Sequence, residues 1–365
     1  MNRLVRRTCR FLLILTLPAS GSASLLAQGV DESANESADQ APGQAVILQY
    51  HHVSTQTPPS TSLSLEDFST HMHYLKDNGF TVLPLEDVVH ALRDGTSLPD
   101  RSAVITFDDA YVSVYEAALP LLRELGFPFT VFIPAGLISS NDRLYATWDQ
   151  LRTMAEAGAT LANHTMTHPY MLERLSGEDE AAWLERLRKE IVDAEAVIEA
   201  ETGQSHRLLA YPYGEYDPAI QRLTEELGFI GIGQHSGPIS AASDFTALPR
   251  FPFSGIYVSM NTLPTKVNSL AFNVQVVEPL SAVTTLASPS ASLDFDGDYR
   301  LDALNCFNNN EPMQLTRLDA AEQTFLIETT VRNESRRFRY NCTAPGPDGR
   351  FYWYSVPWVN AAVAE

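Results

Sequence analysis

Two aspartates stand side by side at Asp108 and Asp109, directly after the β-forming run Val104–Phe107. Neighbouring side chains on a strand point to opposite faces. Two such carboxylates repel, and burying either one is costly without a partner. Farther on, "HTMTH" carries His164 and His168, four residues apart. On a helical turn that spacing puts both rings on one face. Neutral imidazoles so placed are good ligands for a divalent transition metal. One aspartate can supply the anionic third ligand. Two imidazoles and a carboxylate hold Zn²⁺, Co²⁺, Ni²⁺ or Fe²⁺ and leave positions open for water and substrate. The second aspartate, facing elsewhere, can act as general base on the attacking water. A shared metal would make the adjacent carboxylates tolerable.

Something must carry these residues to one place. Strand-like and helix-like segments alternate from "AVILQYHHV" to "FIGIGQHSG". About seven βα units fit into about 220 residues, which predicts parallel strands joined by crossover helices. The fold class is α/β: a distorted (β/α) barrel of about seven units with a C-terminal small β-domain. In such barrels the chemistry sits at the C-terminal ends of strands. His51 and His52 end the first strand and Asp108 and Asp109 the third. His164 and His168 fall at and after the fifth. The "YPYG" of Tyr211–Gly214 ends the next strand and His235 the last. All of these converge on one rim.

The predicted boundaries are a signal peptide over 1–27, a disordered leader over 28–43, the barrel over 44–262 and a β-rich domain over 263–365. Arg3, Arg6, Arg7 and Arg10 precede the apolar run Phe11–Leu17, and small residues follow. This is the layout of a secretory signal, with cleavage after Ala23 or Ala27; an N-terminal membrane anchor is the alternative. Cleavage removes four arginines and no acid, leaving 21 basic and 45 acidic residues and a net charge of −24. That argues against nucleic acid or an anionic membrane as partner. No integral membrane segment remains after cleavage. Cys306 and Cys342 then form an even pair in an exported chain and predict one disulfide. Past residue 265 the runs are short, β-rich and broken by Asn, Pro, Gly and Asp. No internal repeats stand out.

"TFDDAY", "HTMTH" and "YPYG", in that order, resemble the signature motifs of polysaccharide deacetylases of the NodB-homology type, carbohydrate esterase family 4. The resemblance covers roughly residues 44–255. "LQYHHV" and "LPRFPF" look like the branch acting on exported poly-β-1,6-N-acetylglucosamine. The resemblance implies that Asp108 is the catalytic base and that Asp109, His164 and His168 hold one divalent transition metal, zinc first, with cobalt, nickel and iron possible. It implies that Tyr213 offers its backbone N–H to the oxyanion. The implied activity is metal-dependent removal of N-acetyl groups from an N-acetylglucosamine-containing polysaccharide. The implied location is the periplasm or the cell exterior, with a Gram-negative envelope favoured.

The chain departs from the family pattern at two points. The family's late-strand histidine, the acid for the leaving amine, has its nearest counterpart in His235, whose setting differs; it serves as that acid, binds substrate or has no role. The family's arginine ahead of the "PY" proline is replaced by Ala210, and Arg250 can orient Asp108 instead. His51 or His52 can contact sugar, and Trp148 and Tyr170 can stack on sugar rings or pack in the core. Two other functions stay open: an O-acetyl glycan or xylan esterase, and a catalytically weak polysaccharide-binding or export-assisting protein.

Overall fold

The computed structural model describes residues 43–138, 143–319 and 323–364. The expected signal peptide, and the expected leader up to residue 42, lie outside them.

The barrel strands are β1 (Gln44–Tyr50), β2 (Thr81–Val82), β3 (Ser102–Phe107), β4 (Phe129–Ile133), β5 (Ala159–Asn163), β6 (Leu208–Ala210), β7 (Ile230–Ile232), β8 (Pro238–Ser240) and β9 (Phe251–Pro252). Their spatial order is β8-β1-β3-β4-β5-β6-β7, with β9 also on β1 and β2 on β3. All pairings are parallel except that of β8 with β1. Between the strands run α1 (Leu65–Asp77), α2 (Leu85–Arg93), α3 (Leu119–Leu125), α4 (Trp148–Glu156), α5 (Glu180–Thr202) and α6 (Pro218–Glu226). Strands covered by helices on one side and by each other's side chains on the other are apolar on both faces. β3 is buried at every residue.

The sheet curls until its ends nearly meet. Gly231 and Gly233 donate to the carbonyls of Phe245 and Leu248, and Leu248 donates back to Gly231. The same segment continues into β9, which lies beside Leu48 and Gln49 of β1. Residues 245–252 therefore bridge the last parallel strand to the first, and Arg250 sits in that bridge. Val104, Phe132, Ala162, Ala210, Ile232 and Leu248 form one cluster inside the curl. Alternation along β3 then carries Thr106 and Asp108 inward with Val104.

The helical stretch after β3 is in two pieces, a π-helical turn over Val114–Ala118 followed by α3. The long charged helix begins at Glu180 because Asp179 caps it, accepting from Ala182 N–H.

Beyond the barrel, β10 (Val274–Glu278), β11 (Ala291–Phe295), β12 (Asn305–Asn308), β13 (Gln314–Asp319), β14 (Thr324–Glu328), β15 (Arg337–Pro345) and β16 (Phe351–Asn360) form two sheets. Leu293, Phe295, Tyr340 and Trp358 share the core between them. Cys306 and Cys342 face each other on β12 and β15 and are disulfide-bonded. Every described residue falls within one compact unit, residues 40–365.

Candidate metal centre and active site

Asp108 extends β3 inward and has no exposed side-chain surface. Its Oδ1 accepts from Arg250 Nη1 at 2.6 Å, and its Oδ2 accepts from Arg250 Nη2 at 2.8 Å and Gln49 Nε2 at 2.7 Å. Burial alone would raise the carboxyl's pKa; the Arg250 guanidinium outweighs it and brings the value down to about 2. Arg250 is itself held by Gly233 O and Thr106 Oγ1.

Asp109 leaves the strand. It and Ala110 take left-handed backbone angles, φ 70° and 54°, so the adjacent carboxylate swings away from Asp108. Its Oδ1 lies 3.4 Å from His164 Nε2 and 3.3 Å from His168 Nε2. His164 Nδ1 is 2.7 Å from the carbonyl of Ala210. A carbonyl only accepts, so Nδ1 carries the proton and Nε2 presents its lone pair to Asp109.

The "HTMTH" segment is not the helical turn its spacing predicts. It is a loop in which Thr165 and His168 have φ 67° and 57°. Those two left-handed residues, not a helical face, bring the rings to 4.7 Å between centroids. Glu190 of α5 pins the loop, accepting from Met166 N–H, Thr167 N–H and the Thr167 hydroxyl. Asn163 accepts from Thr165 N–H and donates to Ile191 O and Glu195.

Asp109, Ala110, Thr165, His168 and Tyr213 all have positive φ. Non-glycine residues held there cost about 1–3 kcal/mol each, and they gather at functional sites. Asp109, His164 and His168 are the group of three candidate metal donors among the described residues, all within 4.8 Å of one another. Tetrahedral ligands about 2.1 Å from a shared ion stand roughly 3.4 Å apart. The 3.3 and 3.4 Å separations from Asp109 fit that spacing, and the donor set of two imidazoles and one carboxylate suits a transition metal.

The other expected residues divide. His51 stands at the cluster, Nε2 3.9 Å from Asp108 Oδ2, with a side chain 16% exposed. His52 is buried and stacked on Tyr111 at 3.5 Å; burial lowers its pKa to about 4. Tyr213 lies in the turn after β6 at φ 58°, its ring 4.6 Å from His168 and stacked on Tyr170 at 4.0 Å. Trp148 opens α4 and packs against the main core; no described contact takes it to the cluster.

His235 does not join the cluster through any described contact. Its carbonyl accepts from Arg250 N–H at 2.8 Å, while its ring lies 6.4 Å from that of Tyr216. There it lines a cavity of about 490 Å³ between the bridging segment and the C-terminal sheets. Its Nδ1 is enclosed without a partner, and burial lowers its pKa to about 3.

Sequence reasoning missed Gln49 and Glu190. Gln49 was discoverable as the one polar residue in the interior of "AVILQY". Glu190 was not, since nothing in a charged helix says which carboxylate turns inward.

Residues 95–232 match the family model described as polysaccharide deacetylase. The chain is 27% identical over 210 residues to YxkH of Bacillus subtilis, an alignment covering 57% of this chain and 71% of that protein. It is 23% identical over 241 residues to the poly-β-1,6-N-acetyl-D-glucosamine N-deacetylase of Escherichia coli K12, covering 56% of this chain but only 36% of that protein. The Streptococcus pyogenes deacetylase PplD, solved in complex with acetate, shares the fold with a TM-score of 0.54 at 23% identity, over 59% of this chain and 95% of that one. Over residues 95–232, therefore, this chain is similar to polysaccharide deacetylases.

Proposed function

We propose that the protein is an exported, metal-dependent deacetylase that removes N-acetyl groups from an N-acetylglucosamine-containing polysaccharide. The observation that carries this is the junction of two units: the Asp109–His164–His168 donor set and, one residue away, an Asp108 held ionised by Arg250. The E. coli relative is named for this reaction on a β-1,6-linked polymer, which supports the substrate class. The arginine-rich, apolar N-terminus and the disulfide support export.

A divalent metal, when bound, supplies a Lewis acid and acidifies water. Asp108 has the remaining work of a base. It is kept anionic, so it can take a proton from the attacking water. Arg250 and Gln49 fix both of its oxygens, so it cannot turn away. The leaving amine needs a proton. Our choice to deliver it is His51, partly exposed and 3.9 Å from Asp108, in one of the three roles open to His235. The stacked Tyr170 and Tyr213 form an aromatic border beside His168.

The test is acetate release by the purified chain, stripped of metal and reloaded with Zn²⁺, Co²⁺ or Ni²⁺. β-1,6- and β-1,4-linked N-acetylglucosamine oligomers and acetylated xylan are offered in parallel. Metal-dependent release from an amide substrate, abolished in Asp108→Ala, is the expected result. Release from xylan alone would make it an esterase, and glycan binding without release would make it a binding protein.

A further inference from the structure

The C-terminal sheets reach the donor cluster through one buried carboxylate. Glu215 directly follows the Tyr213–Gly214 turn and has no exposed side-chain surface. Its Oε1 accepts from Arg336 Nε at 2.6 Å and Arg337 Nη1 at 2.9 Å, and its Oε2 accepts from Arg336 Nη2 at 2.9 Å. Arg337 is the first residue of β15 and Arg336 precedes it. A carboxylate so deeply placed is costly unless paired. Here the pairing comes from residues 121 and 122 positions away, so the turn after β6 is tied to the edge of the C-terminal sheets.

The same guanidiniums lie over the two rings of that aromatic border. Arg337 is 5.1 Å from the centre of Tyr213, and Arg336 is 5.7 Å from that of Tyr170. Those rings stack on each other at 4.0 Å and an interplanar angle of 6°. Tyr213 in turn meets His168 edge to face at 4.6 Å. The two histidines of the donor set are thus oriented by different means. A hydrogen bond to Ala210 O fixes the His164 ring. The ring of His168 approaches Asp109 Oδ1 at 3.3 Å and packs edge to face on His164 at 4.7 Å and on Tyr213 at 4.6 Å, with no backbone carbonyl anchoring it among the described residues. His168 and Tyr213 are also both left-handed, a conformation that persists only where the surroundings over-determine it.

We infer that Arg336, Arg337 and Glu215 are positioning residues for the metal centre. The C-terminal sheets hold the Tyr213 turn, and through the Tyr170–Tyr213 stack they hold the His168 ring in donor geometry. This rests on Asp109, His164 and His168 being metal ligands.

The experiment uses the whole chain and Co²⁺ as probe. Wild type, Arg336→Gln/Arg337→Gln, Arg336→Lys and Tyr170→Leu are titrated with Co²⁺ by calorimetry. The visible spectrum of each Co²⁺ complex and each Tm are recorded, along with kcat and KM for acetate release. The double variant is expected to bind Co²⁺ about 10–100-fold more weakly, with a changed spectrum and a kcat that falls more than KM changes. Arg336→Lys should recover part of the loss, since it keeps the charge but not the fork. Tyr170→Leu, with the ion pairs intact, should change the spectrum in the same direction. If the double variant does not fold, these last two carry the test on the same readouts. Lowered Tm with unchanged Co²⁺ affinity and spectrum would overturn the inference and leave only a structural clamp. A wild type that binds no Co²⁺ overturns it together with the ligand assignment. A wild type that binds Co²⁺ but releases no acetate defeats the deacetylase reading alone, and affinity and spectrum then decide this one.

Discussion

Arg250 grips Asp108 with both ends of its guanidinium, at 2.6 and 2.8 Å, and neither side chain is exposed to solvent. The two lie 142 positions apart and meet because residues 245–252 close the curl between β7 and β1. The bidentate geometry keeps the carboxylate ionised and fixed in one orientation.

Arg250→Met is expected to destabilise the protein by about 3–5 kcal/mol, the cost of leaving a buried charge unpaired. In wild type the folded pKa of about 2 lies below the ordinary 3.8. The stability contributed by Asp108 is therefore fully present above about pH 4 and lost as pH falls through 2. Without Arg250 burial's upward push is opposed only by His164 and His51, so the acidic limb of the rate profile should move to higher pH. Urea unfolding and a pH–rate profile check both. Arg250→Met/Asp108→Asn should restore most of the stability and none of the activity.

The donors and the base should separate cleanly. Asp109→Ala, His164→Ala and His168→Ala are each expected to weaken Zn²⁺ binding by about 100-fold or more, beyond the 10–100-fold usual for outer-shell groups. Asp108→Asn should retain Zn²⁺ affinity within severalfold and lose acetate release. Calorimetry with Zn²⁺ alongside the acetate assay reads both.

Glu190→Ala should loosen the loop that carries His168 without touching any donor atom. Metal affinity is expected to fall about tenfold or more, with little change in KM. Zn²⁺ calorimetry and steady-state kinetics check this.

Lys266 supplies a pH-dependent prediction away from the site. It is 7% exposed, donates to Tyr257 O and lies 4.6 Å from the Phe253 ring, with no carboxylate partner among the described residues. Burial first, and Arg339 second, lower its pKa to about 8 from 10.5. Between those values the unfolded chain binds a proton that the folded chain does not, so stability rises with pH there. Below 8 the cost of the buried charge is fully present. Lys266→Met should therefore stabilise at pH 7, by at most about 3 kcal/mol less the lost ring contacts. The advantage should shrink to nothing near pH 10.5. Urea unfolding of both proteins at pH 7 and 10 measures the difference.

Reduction, or Cys306→Ser/Cys342→Ser, should lower stability by about 3–4 kcal/mol, the loop-closure value for a separation of 36 residues. Unfolding of the C-terminal core, followed by Trp358 fluorescence, reports it.

Much of the chemistry was legible in the chain alone. Adjacent aspartates after a buried strand, a histidine pair and alternating βα units are local patterns. Hydrophobic period and strand alternation translate them directly into a barrel rim with the two aspartates on opposite faces. Even the replacement of a missing arginine by Arg250 could be expected, since a buried carboxylate requires a cation. Other features depended on the tertiary structure. "HTMTH" works through two left-handed residues rather than a helical face, because Glu190 and Asn163 hold a loop that spacing cannot foresee. His51 stands beside Asp108, while the ring of His235 lines the cavity toward the C-terminal sheets, a placement set by how the segment after β7 packs. The link from Arg336 and Arg337 to Glu215 was invisible for the same reason. Strand polarity and periodicity are properties of neighbours in sequence, whereas the pairing of a buried charge is decided by whichever distant element the closed fold lays against it.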